Sequence, residues 1–140
     1  MKIMCDTNVI LDVLLEREPF FEYSYKILEM CENKTLNGYI SASSVTDIYY
    51  LVRKHTHSND IAYNAVGKLL EIVKVCSVTN ENVLEAYQKK AKDFEDCLVA
   101  TCANSIQCAC IVTRNKKDFE EFDINLFTPE ELLHHLSEHS

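Results

Sequence analysis

Four stretches of this chain carry side chains whose types and spacing could do chemistry together. Asp6 ends the apolar run "KIMC" and is followed at once by Thr7 and Asn8. Asp47 lies in "SVTDIYYLVRK", Asp93 and Asp96 in "DFEDCLVATCA", and Asn115 in "IVTRNKKDF" with Asp118 behind it. A carboxylate at the end of a buried strand is costly to desolvate unless something offsets it, so Asp6 reads as functional. Carboxylates gathered in one place repel each other and raise each other's pKa values, a strain that a divalent cation relieves. Oxygen ligands without His or Cys fit Mg²⁺ or Mn²⁺ better than zinc. The matching chemistry is phosphodiester hydrolysis, in which such an ion lowers the pKa of a bound water and shields the phosphate charge. Each acid after Asp6 also has a plain reading. Asp47 can be a solvated helix acid, Asp93 and Asp96 first-turn acids favoured by the helix dipole, and Asp118 a turn cap.

The elements that must position these groups follow from periodicity. Residues 2–5 read as a short buried strand, and "VILDVLL" has apolar residues at helical spacing. Pro19 opens a second helix, "PFFEYSYKILEMCEN", with Phe20, Tyr23, Ile27, Leu28 and Cys31 as its apolar stripe. Asn37-Gly38 reads as a turn into a second strand, "YISA", after which Ser43 or Ser44 caps the helix carrying Asp47. A helix from Ser58 to Val73 presents Ile61, Ala65, Leu69 and Ile72 on one face. Further strands are expected at "VKVCSV", "ACIVT" and "INLFT", and further helices at residues 80–92, at "DFEDCLVATCANSI" and at "TPEELLHHL". In the last of these, Thr128, Pro129 and Glu131 fit an N-cap, a first-turn proline and a capping-box acid. Short apolar strands alternating with amphipathic helices imply an α/β layer with a parallel sheet. In such sheets ligands bind beyond the carboxyl ends of the strands, the rim where Asp6 stands.

Composition bounds the function. A length of 140 residues implies one domain, 1–140, large enough for a real core. A net charge of −8 argues against a basic surface that grips phosphates directly, but not against a metal-dependent nuclease, where the cation reverses the local potential. The seven cysteines fall in apolar patterns and read as buried reduced thiols. No apolar run approaches the ~20 residues of a membrane span and no basic leader is present, so the expectation is a cytoplasmic protein without membrane contact.

Together "MCDTNVILDVLL", "ISASSVTDIYYLVRK", "DFEDCLVATCA" and "IVTRNKKDF" resemble the PIN-domain proteins, and among them the VapC-like toxins of bacterial type II toxin–antitoxin systems. The resemblance runs from Lys2 to about Phe127. It implies a three-layer α/β/α PIN-like fold with a central, mainly parallel five-stranded sheet. It also implies a Mg²⁺- or Mn²⁺-dependent endoribonuclease, a homodimer, and a cognate antitoxin as partner beside the RNA substrate. Carried over by residue, it makes Asp6, Asp47 and Asp96 the catalytic metal-binding acids, with Asp93 a helical neighbour. Asn115 takes a position where many relatives carry a fourth acid, so it adds an amide oxygen but no charge. Thr7, Asn8 and Thr113 would orient the site, while Arg114, Lys116 and Lys117 would contact RNA. A haloacid-dehalogenase-type phosphatase needs a second Asp where Asn8 stands. The competing reading is a non-catalytic PIN module that binds RNA or a protein.

Overall fold

Along the central strands, alternate side chains go to two different cores, and that alternation builds the molecule. The computed structural model describes residues 1–139. The chain begins β1 (Lys2–Cys5), α1 (Thr7–Leu14), α2 (Phe21–Glu32), β2 (Asn37–Ser41), α3 (Ala42–Thr56) and α4 (Asn59–Ile72). It continues β3 (Lys74–Cys76), α5 (Asn80–Lys89), α6 (Phe94–Ser105) and β4 (Cys110–Val112). A 3-10 turn at Lys116–Phe119, β5 (Leu126–Phe127) and α7 (Pro129–Glu138) complete it.

The strands form one five-stranded sheet in the order β3-β2-β1-β4-β5. All four pairings are parallel, with Ile3 beside Gly38 and Cys110, and Met4 beside Tyr39 and Ile111. Ile3, Cys5, Cys110 and Val112 pack into one core with Val9, Ile10, Ile27, Leu28, Ile48, Leu69 and Leu132. Met4 and Ile111, one residue out of phase, pack into the other with Ala86, Val99, Cys102 and Phe119. Side chains two apart share a face of a strand, so α1–α4 and α7 cover one side and α5 and α6 the other. The expected three-layer α/β/α arrangement is thus present. In α6 seven consecutive residues, Cys97 to Ala103, are buried. A helix that is apolar and small-sided all round is one enclosed on all sides. All seven cysteines are buried and unpaired, as expected of thiols acting as small hydrophobes.

Several expected details differ. The cap of α3 is Ser41, whose hydroxyl accepts from the Ser43 N–H at 3.3 Å, rather than Ser43 or Ser44. Asn37-Gly38 lies within β2 because the turn is made earlier, at Lys34, which has φ 67°. Gly38 is needed there for space, since a Cβ would come within 2.5 Å of Cys31 Sγ. In α4, Ala62 and Leu69 are buried with Ala65 and Ile72 packed half-buried beside them, and only Ile61 of the expected face is exposed. Lys90, in the left-handed region, stops α5 before Lys92 and frees Asp93 to cap α6. Helix α2 buries Ser24, Ile27, Leu28 and Cys31, but Phe20 and Tyr23 remain 38% and 40% exposed. Among the described residues no helix is long and apolar enough to cross a membrane.

Candidate active site

The chain order reverses between β1 and β4, which lie side by side, and open parallel sheets bind ligands beyond the strand ends at such a point. Asp6 follows β1 and Thr113 follows β4. Asp6 caps α1, its Oδ1 accepting from the Thr7 N–H at 2.8 Å. Its Oδ2 accepts from the Thr113 hydroxyl at 2.8 Å, across 107 residues of chain. Thr113 is fully buried, and its hydroxyl oxygen also accepts from the Asn115 N–H at 3.0 Å. Asn8 Oδ1 accepts from the Arg114 N–H at 3.4 Å, tying the segment after β4 to α1.

A cavity of about 580 Å³ opens over this corner. Its lining brings together Asp6, Thr7 and Asn8, Asp47 from α3, and Asp93, Glu95 and Asp96 from the start of α6. Arg17, Leu11, Tyr50 and Leu51 complete it. The acids repel each other as expected of like charges in one place. Burial, followed by the charges of Asp93, Asp6 and Asp118, pushes the Asp96 carboxyl up to about 7. Glu95 is also pushed up to about 7, first by a hydrogen bond with Asp47, then by burial and the charges of Asp47, Asp93 and Asp96. Burial raises Asp6 as well, while the Thr113 hydroxyl, the Thr7 N–H and the Arg114 guanidinium pull it back.

All the carboxylates here are oxygen donors with surplus negative charge, which is the chemistry of a hard divalent cation site. Several of their oxygens are engaged locally. Asp93 Oδ1 accepts from the Asp96 N–H at 2.9 Å, Asp6 is held by Thr7 and Thr113, and Asp47 is bonded to Glu95. Among the described residues, no three His, Cys, Asp or Glu side chains stand close enough together to hold a metal ion as they are placed. Asp6, Asp47, Asp93, Glu95 and Asp96 instead line the wall of one cavity.

Three of the expected positions have partners or surroundings of their own outside the acidic lining. Asn115 lines a neighbouring cleft with Phe20, Tyr23 and Glu130 and is absent from the acidic lining, because it sits beyond Thr113 at the start of the 3-10 turn. The Arg114 guanidinium is held from one side: Nε donates to Asp12 Oδ2 at 2.7 Å, and Cζ lies 3.9 Å from the centre of the Phe20 ring. Lys116 pairs with Glu131 at 2.9 Å, which leaves Lys117 as the exposed cation of the three. Glu95, Arg17 and the influence of Asp118 on Asp6 and Asp96 are additions to the site. The signal for Glu95 was its place between Asp93 and Asp96 in "DFED", three acids that all line the cavity. Arg17 carried none.

A family model described as a PIN domain matches residues 2–117. The chain is 29% identical over 133 residues to ribonuclease VapC1 of Aquifex aeolicus, covering 93% of this chain and 92% of that protein. In fold it is similar to the crystal structure of VapBC2 from Rickettsia felis bound to a fragment of promoter DNA. That match has a TM-score of 0.71 at 20% identity, over 91% of this chain and 98% of the other. It is also similar to Mycobacterium tuberculosis VapC20, described as a toxin that cleaves the sarcin–ricin loop. The TM-score there is 0.69 at 13% identity, over 86% and 96% of the two chains.

Proposed function

This chain belongs to the PIN-domain family, and from that membership we propose that it is a metal-dependent endoribonuclease, the toxin of a type II toxin–antitoxin pair. The observation that carries the reading is that Asp6, Asp47 and Asp96, from three separate elements, line one cavity beyond the strand ends. The ribonuclease named among its relatives supports RNA as the substrate, and a VapBC pair among its structural neighbours supports an antitoxin protein as partner. Family likeness also supports a homodimer.

Asp6, Asp47 and Asp96 would hold the cation, Mg²⁺ or Mn²⁺, with Asp93 beside them. When bound, such an ion supplies charge neutralisation for the phosphate and an acidified water. The chain's own residues prepare that site. Thr7 and Thr113 each fix one oxygen of Asp6, so its carboxylate is oriented before any ligand arrives. Glu95, pushed up to about 7 beside Asp47, must lose its proton before it presents full charge, so cation affinity climbs as pH rises through about 7. Asn8 and Thr113 hold the segment after β4 against α1 and thereby set one wall of the cavity. Asn115, in the adjoining cleft, is not counted among the ligands.

The test is Asp6→Asn. Divalent-dependent cleavage of single-stranded RNA should vanish while the circular dichroism spectrum is retained. Millimolar Mn²⁺ should raise the melting temperature of the wild type by preferential binding to the native state. Cleavage by the variant at the wild-type rate would reject the metal-holding role of Asp6.

A further inference from the structure

The cleft next to the acidic cavity has a wall of a different kind. It encloses about 450 Å³, within the roughly 300–1,000 Å³ typical of small-ligand sites. Phe20 and Tyr23 form one side, Pro19 and Pro129 flank them, and Arg114, Asn115 and Glu130 supply polar edges. Exposed aromatic rings placed together beside prolines cost hydration and contribute nothing to either core. Their sequence spacing fits the apolar stripe of α2, yet the fold turns them outward.

The polar edges are held in place. Asp12 is fully buried, and its Oδ2 accepts from both Arg114 Nε at 2.7 Å and the Ser24 hydroxyl at 3.2 Å. Asp12 Oδ1 has no partner, so the grip on the guanidinium is end-on through Nε. Among the described residues no hydrogen bond engages the Nη groups of Arg114, which leaves their N–H donors for a ligand. The same guanidinium lies over the Phe20 ring at 3.9 Å, fixing a flat surface. Glu130 stands beside Tyr23, where its charge pushes the Tyr23 hydroxyl up, and its carboxylate is an acceptor at the cleft.

We propose that this cleft is a nucleobase subsite, taking one unstacked base of the single-stranded RNA next to the phosphate held over Asp6. The inference rests on the ribonuclease reading above. Aromatic faces give sequence-tolerant stacking, while Arg114 Nη and Glu130 offer a donor and an acceptor to a base edge. Position fits the role, because Arg114 directly follows Thr113, the residue that holds Asp6. Charge fits it too. The chain carries −8 overall, and Arg114 and Lys116 are paired with Asp12 and Glu131, so stacking adds to the phosphate attraction that Arg17 and Lys117 can still supply. In this arrangement Asp12 is a positioning residue that acts through Arg114.

The experiment scans a short cleavable RNA with a single abasic nucleotide moved through each position around the cut site. With the wild-type protein, one position beside the scissile phosphate should lower kcat/KM by roughly 5- to 100-fold, the range of one lost base–aromatic stack. Phe20→Leu should cleave the intact and abasic strands alike, and Phe20→Tyr should restore the difference. Binding of a 2-aminopurine strand to Asp6→Asn protein, read as stacking-induced quenching, should show the same position without any cleavage. If RNA is cleaved but no position is sensitive, or Phe20→Leu keeps the wild-type sensitivity, the subsite is refuted and the nuclease stands. Should Phe20→Leu spare RNA cleavage and impair only capture by an antitoxin protein, the cleft seats a peptide and the proposal falls. Wild-type protein that neither binds nor cleaves RNA would remove the ribonuclease reading itself.

Discussion

Raising the pH from about 5.5 to about 8 should destabilise the metal-free protein, opposite to the gain expected where paired carboxylates dominate. Asp96 stands at about 7 against an ordinary 3.8, and Glu95 at about 7 against 4.5. A carboxyl whose folded pKa exceeds its unfolded value binds its proton more tightly in the native state. Its stabilising contribution is complete below the unfolded value and is lost as pH climbs through about 7. At about 1.4 kcal/mol per pKa unit, the Asp96 shift corresponds to about 4 kcal/mol at face value. Asp96 is only half-buried and Glu95 is exposed, so solvent screening brings their joint effect to about 2 kcal/mol. For a chain of this size that is a fall in melting temperature of roughly 4–8 °C. The assay is a series of thermal melts in chelator at constant ionic strength. Asp96→Asn should raise the melting temperature at about pH 8 and remove most of the slope, and Mn²⁺ should rescue the wild type at the same pH. A melting temperature that is flat or rises over this window, or an Asp96→Asn protein with the wild-type slope, would refute the claim that these acids repel each other in one cavity.

Asp12→Ala should cost about 3 kcal/mol, because it leaves Arg114 without its buried partner, and chemical denaturation would measure it. Ser24→Ala, which removes one of the two donors to Asp12, should cost only about 1 kcal/mol in the same assay. Thr113→Val should lower stability by about 1–2 kcal/mol and slow RNA cleavage, since Asp6 loses a donor and the Asn115 N–H an acceptor. Gly38→Ala should destabilise by about 1–3 kcal/mol through overpacking on Cys31 and Val73, and Cys31→Ala in the same chain should relieve part of that loss.

Much of the architecture was legible in local pattern. The apolar runs at residues 2–5 and 109–113 became adjacent central strands, and the Thr128–Glu131 capping box formed as read. Such features depend on nearest neighbours along the chain, where hydrogen-bond geometry and side-chain period act directly. The misjudged details share a cause. Ile61, Phe20 and Tyr23 fit an apolar period, but a period says only that side chains share a face, not how wide a stripe the neighbouring elements cover. Arg114 looked like a free cation because its partner, Asp12, stands 102 residues away.

The sequence by itself determined the kind of protein: strands and helices in α/β order, an acid at the end of the first strand, and oxygen donors in place of sulfur or imidazole. Tertiary structure alone decided which of those donors share a cavity. The order β3-β2-β1-β4-β5 sets Asp6 beside Thr113 and the start of α6 opposite α3, adding Glu95 and assigning Asn115 to the next cleft. The physical reason is that electrostatic and hydrogen-bond coupling falls off with distance through space. Distance through space is set by strand order, which no local stretch of the chain encodes.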